Sequence, residues 1–272
     1  MTVESSPSVS RGVALVRPPG PRLAEGIVTH IDRSPVDLDA AREQHAGYVR
    51  ALQANGWRTV EVPPADDCPD AVFIEDAVVV VDDLAVLTRS GAPVRRGEKP
   101  GAAAAVHDLG LRVAEILNGT LDGGDVLQVG RTVYVGQGGR TDAAGLAEFA
   151  DLLAPLGRQV IGVPLREVLH LKSAITALPD GELIALTDLL DLDAVPELRG
   201  RSVRRPQEEE GAHVVALGGD RILISAAAPL TTNTLVEAGW QPVTTDIGEF
   251  EKLEGCVTCL SVLIPDESSV PD

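Results

Sequence analysis

A repeated alternation of polar and apolar stretches organises the chain. A helical stretch that ends in glycine, followed by a short apolar strand, recurs five times at intervals of roughly 45 residues. Glycine just past a helix end supplies the left-handed backbone of a C-cap, which explains its recurrence there. The five glycines are Gly56, Gly110, Gly157, Gly200 and Gly239. The pattern therefore predicts five α/β units of one kind.

Strand patterns fill the space between the predicted helices. The strands predicted directly after the glycines cover 59–62, 113–116, 160–163, 202–203 and 242–244. Four complete hairpins with their own turn residues follow, at 78–88, 126–135, 174–187 and 214–225. Each of the first four units is therefore expected to hold three strands and one helix.

The fifth unit has only one apolar run, 257–264, and its missing partner is predicted to be the first apolar run, 13–16. This pairing would bring the two termini together and close the five units into a ring, which removes exposed sheet edges. An open α/β sheet with the same spacing is the alternative architecture. We expect a single domain over 11–265, with flexible tails at 1–10 and 266–272.

Composition narrows the class of protein and of ligand. The 272 residues are 44% hydrophobic and carry a formal net charge of -18, which indicates a globular chain and disfavours binding to nucleic acid or anionic membranes. The same acidity weakly favours a small cationic ligand, although it could serve solubility alone. The first residues lack a signal-peptide pattern and the run 77–81 is too short to span a bilayer, so we expect a cytoplasmic protein with reduced thiols.

Cys259 is the most informative candidate for chemistry because the chain has only three cysteines. Cys256 lies three positions earlier, but a zinc site would need a second pair, and Cys68 stands alone. A redox pair is expected to open a helix, whereas 257–264 is predicted as a strand. A nucleophilic thiol and a small buried hydrophobic side chain remain the two interpretations.

The spacing of the repeats predicts which residues lie near this thiol. Polar residues occupy the mouth of the following hairpin in three other units, namely Asp76, Asp122 and His170. Equivalent points in a ring converge on its axis, so two carboxylates, an imidazole and the Cys259 thiol are expected at one centre. Taken singly, His170 could be a core histidine and Asp122 a turn residue.

Three charged segments add candidates. Glu75 and Asp76 follow an apolar run, so they need cationic partners if they are buried. Arg95 and Arg96 lie in a Gly/Pro loop and Arg140 in a Gly-rich loop; these arginines are either solvated or bind an anion.

Six motifs together carry a family resemblance. They are Phe73-Ile-Glu-Asp76, Thr88-Arg-Ser-Gly-Ala-Pro-Val-Arg-Arg96, Leu121-Asp-Gly-Gly-Asp125, Gly139-Arg-Thr-Asp142, His170-Leu-Lys-Ser173 and Thr258-Cys-Leu-Ser261. In this order, over about 13–264, the chain resembles the dimethylargininases of the guanidine-modifying (pentein) superfamily. The resemblance implies a five-bladed α/β propeller with pseudo-fivefold symmetry, which agrees with the ring.

Site roles follow from the resemblance. It implies Cys259 as nucleophile, His170 as general acid and base, and Asp122 and Asp76 as carboxylates that grip a guanidinium. Other residues are candidates for contact with the substrate, either because the resemblance implies them or because they adjoin such a position. They are Glu75, Asp70, Arg95, Arg140, Leu23 and Glu254. Within this set the arginines suit a substrate carboxylate, Asp70 suits an ammonium, and Leu23 falls where the family has a mobile lid.

Three positions depart from the family pattern. Asp122 stands where some members have Glu, Glu254 replaces a frequent Asp, and Leu260 replaces the second cysteine of some animal members. Of these, the change at Glu254 bears on details of substrate contact.

The implied reaction converts dimethylarginine or monomethylarginine to citrulline through a covalent S-alkylthiouronium on Cys259, with no metal or cofactor. The first alternative is an arginine deiminase, which usually has His-x-Asp where this chain has His170-Leu-Lys172. A non-catalytic binding module for cationic amino acids and a C-x-x-C oxidoreductase are the others. The sequence leaves open whether the protein is a monomer or a homodimer.

Overall fold

Five three-stranded sheets form the frame of the protein in the computed structural model, which describes residues 11–266. The strands are β1 (Gly12–Val16), β2 (Trp57–Glu61), β3 (Val78–Val81), β4 (Leu84–Leu87), β5 (Arg112–Glu115), β6 (Val126–Val129), β7 (Thr132–Gln137), β8 (Gln159–Pro164), β9 (Ile175–Ala177), β10 (Leu183–Ala185), β11 (Val203–Arg204), β12 (Val214–Gly218), β13 (Arg221–Ser225), β14 (Gln241–Thr245) and β15 (Val262–Pro265). The α-helices are α1 (Leu38–Ala54), α2 (Lys99–Asp108), α3 (Ala143–Leu153), α4 (Pro229–Glu237) and α5 (Gly248–Glu251).

All five sheets have the same topology. The first two strands pair antiparallel and the third pairs parallel to the second, in the orders β15-β1-β2, β3-β4-β5, β6-β7-β8, β9-β10-β11 and β12-β13-β14. The predicted closure is confirmed, since Val13 of β1 is paired with Ile264 of β15 and with Arg58 of β2. The protein therefore has the expected α/β fold with pseudo-fivefold repetition.

The glycine caps also follow the prediction. All five have positive φ angles, from 62° at Gly157 to 97° at Gly239, a backbone region that glycine enters without steric cost. The predicted helix of the fourth unit is wrong, because that segment forms two short 3-10 turns, Leu192–Ala194 and Pro196–Leu198. Pro196 lacks an N–H and clashes with the preceding turn, so it prevents a continuous α-helix.

The last predicted strand is wrong at its start. It begins at Val262 rather than at 257, and Cys259 lies in a preceding turn in which its N–H donates to Cys256 O at 3.1 Å. An apolar run cannot by itself distinguish a strand from a buried turn. Of the predicted tails, Asp266 continues the pairing by donating its N–H to Arg11 O at 3.0 Å, and 1–10 and 267–272 lie outside the described residues.

The first strand of each sheet lies nearest the ring axis, as the contacts of β15 with β3 and of β6 with β9 indicate. A short turn precedes each of these strands. The turns are Ile74–Ala77, Gly123–Asp125, Leu171–Ser173, Glu209–Ala212 and the segment 257–260. Hydrophobic clusters between helices and sheets hold this frame. Within 11–266, no helix has the length and apolarity needed to cross a membrane.

Candidate active site

The candidate site forms where these turns meet. Asp76 lies in the first turn, Asp122 directly precedes the second, His170 directly precedes the third, and Cys259 lies in the last. The first three turns contact one another in order. The last joins them through the Glu75 N–H, which donates to Cys259 O at 3.3 Å. Residues scattered over most of the chain are thus held at one end of the ring.

His170 is buried between carboxylates. Its Nε2 lies 3.2 Å from Asp122 Oδ2 and 3.8 Å from Asp76 Oδ1. Burial acts to lower the pKa of His170, but the charges of Asp76, Asp122 and Asp125 outweigh it and raise that pKa to about 9. The ring is therefore an imidazolium at neutral pH. Asp125 also fixes the turn after His170 by accepting the Leu171 N–H at 3.0 Å.

Asp122 has no solvent exposure and is held from three sides. Its Oδ1 accepts the Gly91 N–H at 2.9 Å, and its Oδ2 accepts from Arg140 Nη1 at 3.1 Å and lies beside His170. Burial opposes ionisation, but the hydrogen bond and charge of His170 and the nearby arginines hold the pKa of Asp122 well below its usual value. Asp122 is therefore a carboxylate.

Asp76 is the second ionised carboxylate beside His170. Its Oδ2 accepts from Arg95 Nη1 at 2.5 Å and its Oδ1 accepts the Gly124 N–H at 2.8 Å. Burial opposes the charge, but His170 and Arg95 lower the pKa of Asp76. A side chain at Gly124 would collide with His170 and Asp76, so only glycine fits there.

Arg95 is buried, and its charge is already balanced. Besides Asp76, it donates to both carboxylate oxygens of Glu98, at 2.8 and 2.9 Å, and to Phe73 O and Asp70 O. Its predicted role at a substrate carboxylate therefore competes with these bonds. The side chain of Arg140 is 11% exposed and, among the hydrogen-bond partners found within 11–266, contacts Asp122. Of the two, Arg140 has more donors left for an anionic group.

Cys259 is 9% exposed and lies beside a second thiol. Its Sγ is 3.2 Å from Cys256 Sγ and accepts the Cys256 N–H at 3.4 Å. The hydrogen bond between the sulfurs, together with burial, raises the pKa of Cys259. Tyr48 clamps this turn, since its hydroxyl donates to Val257 O at 2.8 Å and lies 2.7 Å from Ser261 Oγ.

Glu75 links the thiol turn to a lysine. Lys172 Nζ lies 2.5 Å from Glu75 Oε1, and Thr258 Oγ1 donates to Oε2 at 3.0 Å. Burial raises the pKa of Glu75 to about 7. The expected cationic partners of the buried pair are thus present, as Lys172 for Glu75 and Arg95 for Asp76. Lys172 and Thr258 were not among the sequence candidates, although Lys172 follows His170 by two residues.

A cavity of about 180 Å³ lies inside the ring beside the Glu75–Lys172 pair. Glu75, Lys172 and Thr258 line it together with valines of the innermost strands, whereas Cys259 and His170 lie outside its lining.

The remaining candidates are Leu23, which lies in the loop between β1 and α1, and Asp70 and Glu254, which contact that loop. Leu23 is completely buried in the core cluster that includes Cys259. Asp70 Oδ1 accepts the Ile27 N–H at 3.0 Å, and Glu254 accepts the N–H groups of Thr29 and His30 at 2.5 and 2.8 Å. In this structure Asp70 and Glu254 hold the loop next to the site.

Asp76, Asp122 and His170 present ligand atoms within 4.8 Å of one another, a set that could in principle hold a metal ion. A dication there would meet the imidazolium of His170 and the guanidinium groups of Arg95 and Arg140. The two carboxylates are therefore better suited to a ligand of single positive charge that donates hydrogen bonds. A thiol, an imidazolium and two carboxylates can together displace an amine from a cationic carbon.

No protein-family model matches the chain. The chain is 58% identical over 250 residues to an N(G),N(G)-dimethylarginine dimethylaminohydrolase of Streptomyces coelicolor, and the match covers 92% of this chain and 95% of that relative. Its fold matches the structure of DDAH from Pseudomonas aeruginosa, a cysteine-to-serine mutant complexed with citrulline, with a TM-score of 0.87. The two sequences are 30% identical, and the match covers 94% of this chain and 100% of that chain. The structure of a histidine-to-glycine mutant of dimethylarginine dimethylaminohydrolase, as an adduct with S-methyl-L-thiocitrulline, also matches with a TM-score of 0.87. Its sequence is 29% identical, and the match covers 93% of this chain and 100% of that chain.

Proposed function

The chain belongs to the N(G),N(G)-dimethylarginine dimethylaminohydrolase family, and on this premise we propose that it hydrolyses N(omega)-methylated arginines to citrulline and a methylamine. It is a hydrolase that acts on C–N bonds of linear amidines, and its relatives' complexes with citrulline and a thiocitrulline support an arginine-derived small molecule as ligand. The observation that carries the proposal is the meeting of Cys259, His170, Asp122 and Asp76 at one end of the ring.

The two carboxylates bind the substrate guanidinium. A guanidinium is resonance-stabilised, so the site must localise its charge before a nucleophile can attack. Asp76 and Asp122 accept hydrogen bonds from its nitrogens and orient the central carbon, at the expense of part of their present contacts. Glu75 is a third carboxylate beside the Cys259 turn, since its N–H donates to Cys259 O and its Oε2 accepts from Thr258 Oγ1.

The amino acid end of the substrate lies next to the loop between β1 and α1. Arg140, with Arg95 behind it, binds the substrate carboxylate, and Asp70 binds the ammonium. Asp70 now holds Ile27, and Glu254 holds Thr29, so substrate binding and loop position are coupled. Leu23 anchors this loop in the core.

The thiolate of Cys259 attacks the guanidinium carbon. The positive charge of the substrate lowers the pKa of the thiol on arrival, and the thiol gives its proton to solvent because His170 is already protonated. His170, an imidazolium in the free protein, protonates the departing methylamine and leaves an S-alkylthiouronium on Cys259. The neutral His170 then removes a proton from water, which attacks the same carbon and releases citrulline and the thiolate. No proton donor beyond His170 and no cofactor is needed for this sequence.

Substrate choice is tested by the rate of citrulline formation with asymmetric dimethylarginine, monomethylarginine and arginine, measured side by side. We expect a methylated arginine to be the best substrate. Arginine as the best substrate would assign a deiminase activity instead. Binding of all three without citrulline would indicate a non-catalytic module.

We further propose that 11–265 is one catalytic domain and that the protein is cytoplasmic. The support is the contiguous ring of sheets and the three free thiols, which persist in reducing compartments. Fractionation of the producing cells tests the location, and limited proteolysis that released a stable fragment smaller than 11–265 would contradict the single domain.

A further inference from the structure

Cys256 is a buried thiol that the reaction above does not use. Its Sγ lies 3.2 Å from Cys259 Sγ and 3.3 Å from Thr258 Oγ1, and the three cysteines of the protein are all free. Hydrophobic packing would explain one small buried thiol. It does not by itself explain a second sulfur directed at the proposed nucleophile.

The backbone between the two cysteines already meets the requirements of a disulfide. Cys259 N–H donates to Cys256 O at 3.1 Å and closes a four-residue turn, in which the first and last Cα atoms are less than about 7 Å apart. Disulfides span Cα separations of about 4.4–6.8 Å and have an S–S bond of about 2.05 Å. The sulfurs need to approach by only about 1 Å, which rotation about the side-chain bonds supplies.

We propose that Cys256 and Cys259 form a reversible intramolecular disulfide when the protein meets a hydroperoxide, so that Cys256 serves as the resolving thiol of the nucleophile. This inference rests on the proposed function in taking Cys259 as the nucleophile. Cys68 takes no part, because it hydrogen-bonds Val94 O in a different part of the molecule.

The chemistry balances with the hydroperoxide as the two-electron oxidant. The thiolate of Cys259 attacks the terminal peroxide oxygen, the O–O bond breaks, and an alcohol, or water in the case of hydrogen peroxide, leaves with a proton. The sulfur of Cys256 loses its proton and attacks the sulfenic acid; the S–O bond breaks, the S–S bond forms, and the hydroxyl group leaves with that proton as water. A dithiol restores both thiols. Either sulfur can be the donor in the hydrogen bond between them, so Cys259 is the thiolate when Cys256 holds the shared proton.

The disulfide has two consequences for the enzyme. It occupies the sulfur that would attack the substrate, so the oxidised protein cannot turn over. It also removes the sulfenic acid before a second peroxide can convert it to a sulfinic acid, which thiols do not reduce. Cys256 therefore protects Cys259 from irreversible oxidation, and the loss of activity is reversible.

Peptide mass measures the modification directly. No Lys or Arg follows Lys252, so trypsin releases a peptide that begins at Leu253 and holds Cys256 and Cys259, while Cys68 lies elsewhere. After treatment with hydrogen peroxide and alkylation without reduction, we expect this peptide to lose the mass of two hydrogen atoms and to carry no alkyl group. A peptide that gains oxygen atoms instead, with no such product at any peroxide dose, overturns the proposal.

Activity and matched variants complete the test. Citrulline formation by the treated native protein should recover with dithiothreitol, and Cys68→Ser should behave like the native protein. Cys256→Ser should turn over before treatment, but its activity should stay lost after dithiothreitol because Cys259 is oxidised further. Equal recovery of Cys256→Ser and native protein contradicts the role of Cys256; Cys256→Ala replaces the serine variant if that does not fold. Absence of turnover in the untreated native protein would count against the proposed function alone, since the peptide mass still tests the disulfide.

Discussion

His170 Nε2 lies 3.2 Å from Asp122 Oδ2, and both side chains are almost completely removed from solvent. Together with Asp76, this carboxylate keeps the imidazole protonated despite its burial. The contact explains how a buried imidazole can be ready as an acid at neutral pH.

Asp122→Asn should lower the pKa of His170 and so reduce the fraction that can protonate a leaving amine. Loss of general acid catalysis costs about 10²–10⁴-fold in rate, so citrulline formation should fall by about 10²-fold or more, and the alkaline limb of its pH profile should move to lower pH. Asp83→Asn, which changes an exposed carboxylate paired with Arg112, is the matched control. A slower Asp122→Asn enzyme with an unmoved alkaline limb would assign Asp122 to substrate binding alone.

The native protein should lose kcat/KM as the pH rises through about 9, where His170 in the free enzyme loses its proton. The same group affects stability. Its folded pKa lies above the unfolded value of 6.5, so its stabilisation is fully present below 6.5 and is lost as the pH rises through about 9. Urea unfolding across this window, compared with His170→Gln, measures the effect. An identical pH dependence in the two proteins would contradict it.

Lys172→Met should leave the buried Glu75 without its cation. Removing one partner of a buried pair costs up to about 3–5 kcal/mol, but Glu75 can limit the loss by taking up a proton. We therefore expect a loss of about 1–3 kcal/mol in the free energy of unfolding, growing as the pH rises through about 7, the pKa of Glu75 in the intact pair.

Adding Glu75→Gln to Lys172→Met should restore much of this stability, because no unpaired charge then remains. Lys99→Met, which breaks an exposed contact with Glu115, should change stability by less than about 1 kcal/mol. A double variant less stable than Lys172→Met would show that Glu75 is not destabilised by the loss of its cation.

Tyr48→Phe should slow the enzyme without changing its nucleophile. The hydroxyl of Tyr48 holds Val257 O and Ser261 Oγ on either side of Cys259, so its loss should loosen the turn and lower kcat more than it changes KM. Tyr134→Phe removes another tyrosine hydroxyl bond, to Glu197 O. Both variants should lose about 1 kcal/mol of stability. Equal kcat values for the two would contradict a positioning role for Tyr48.

The frame of the fold could be predicted from the sequence because its signals are local. Glycine caps such as Gly56 and Gly239 need positive φ, and hairpin turns have their own residues, so five units could be counted along the chain. Closure through β1 and β15 followed from the count. The fourth helix could not be predicted reliably, since Pro196 breaks a pattern that otherwise reads as helical.

The site could be predicted in part. Its residues share a position in the repeat, which identified His170 and Cys259 without any contact information. Ion pairs that depend on tertiary contacts could not be predicted. The pair of Glu75 and Lys172, for example, joins residues 97 positions apart. The buried ion pair of Arg95 with Glu98 could not be predicted either, because no local sequence pattern shows that both side chains are buried.

The central claim is that Cys259 attacks the guanidinium carbon of a methylated arginine. Native protein is mixed with asymmetric dimethylarginine and quenched in acid during turnover, and its peptides are weighed. We predict a thiouronium adduct on Cys259 within the peptide that begins at Leu253, and neither adduct nor citrulline from a folded Cys259→Ser protein. Citrulline formation by Cys259→Ser at the native rate, or an adduct on another peptide, would contradict the account.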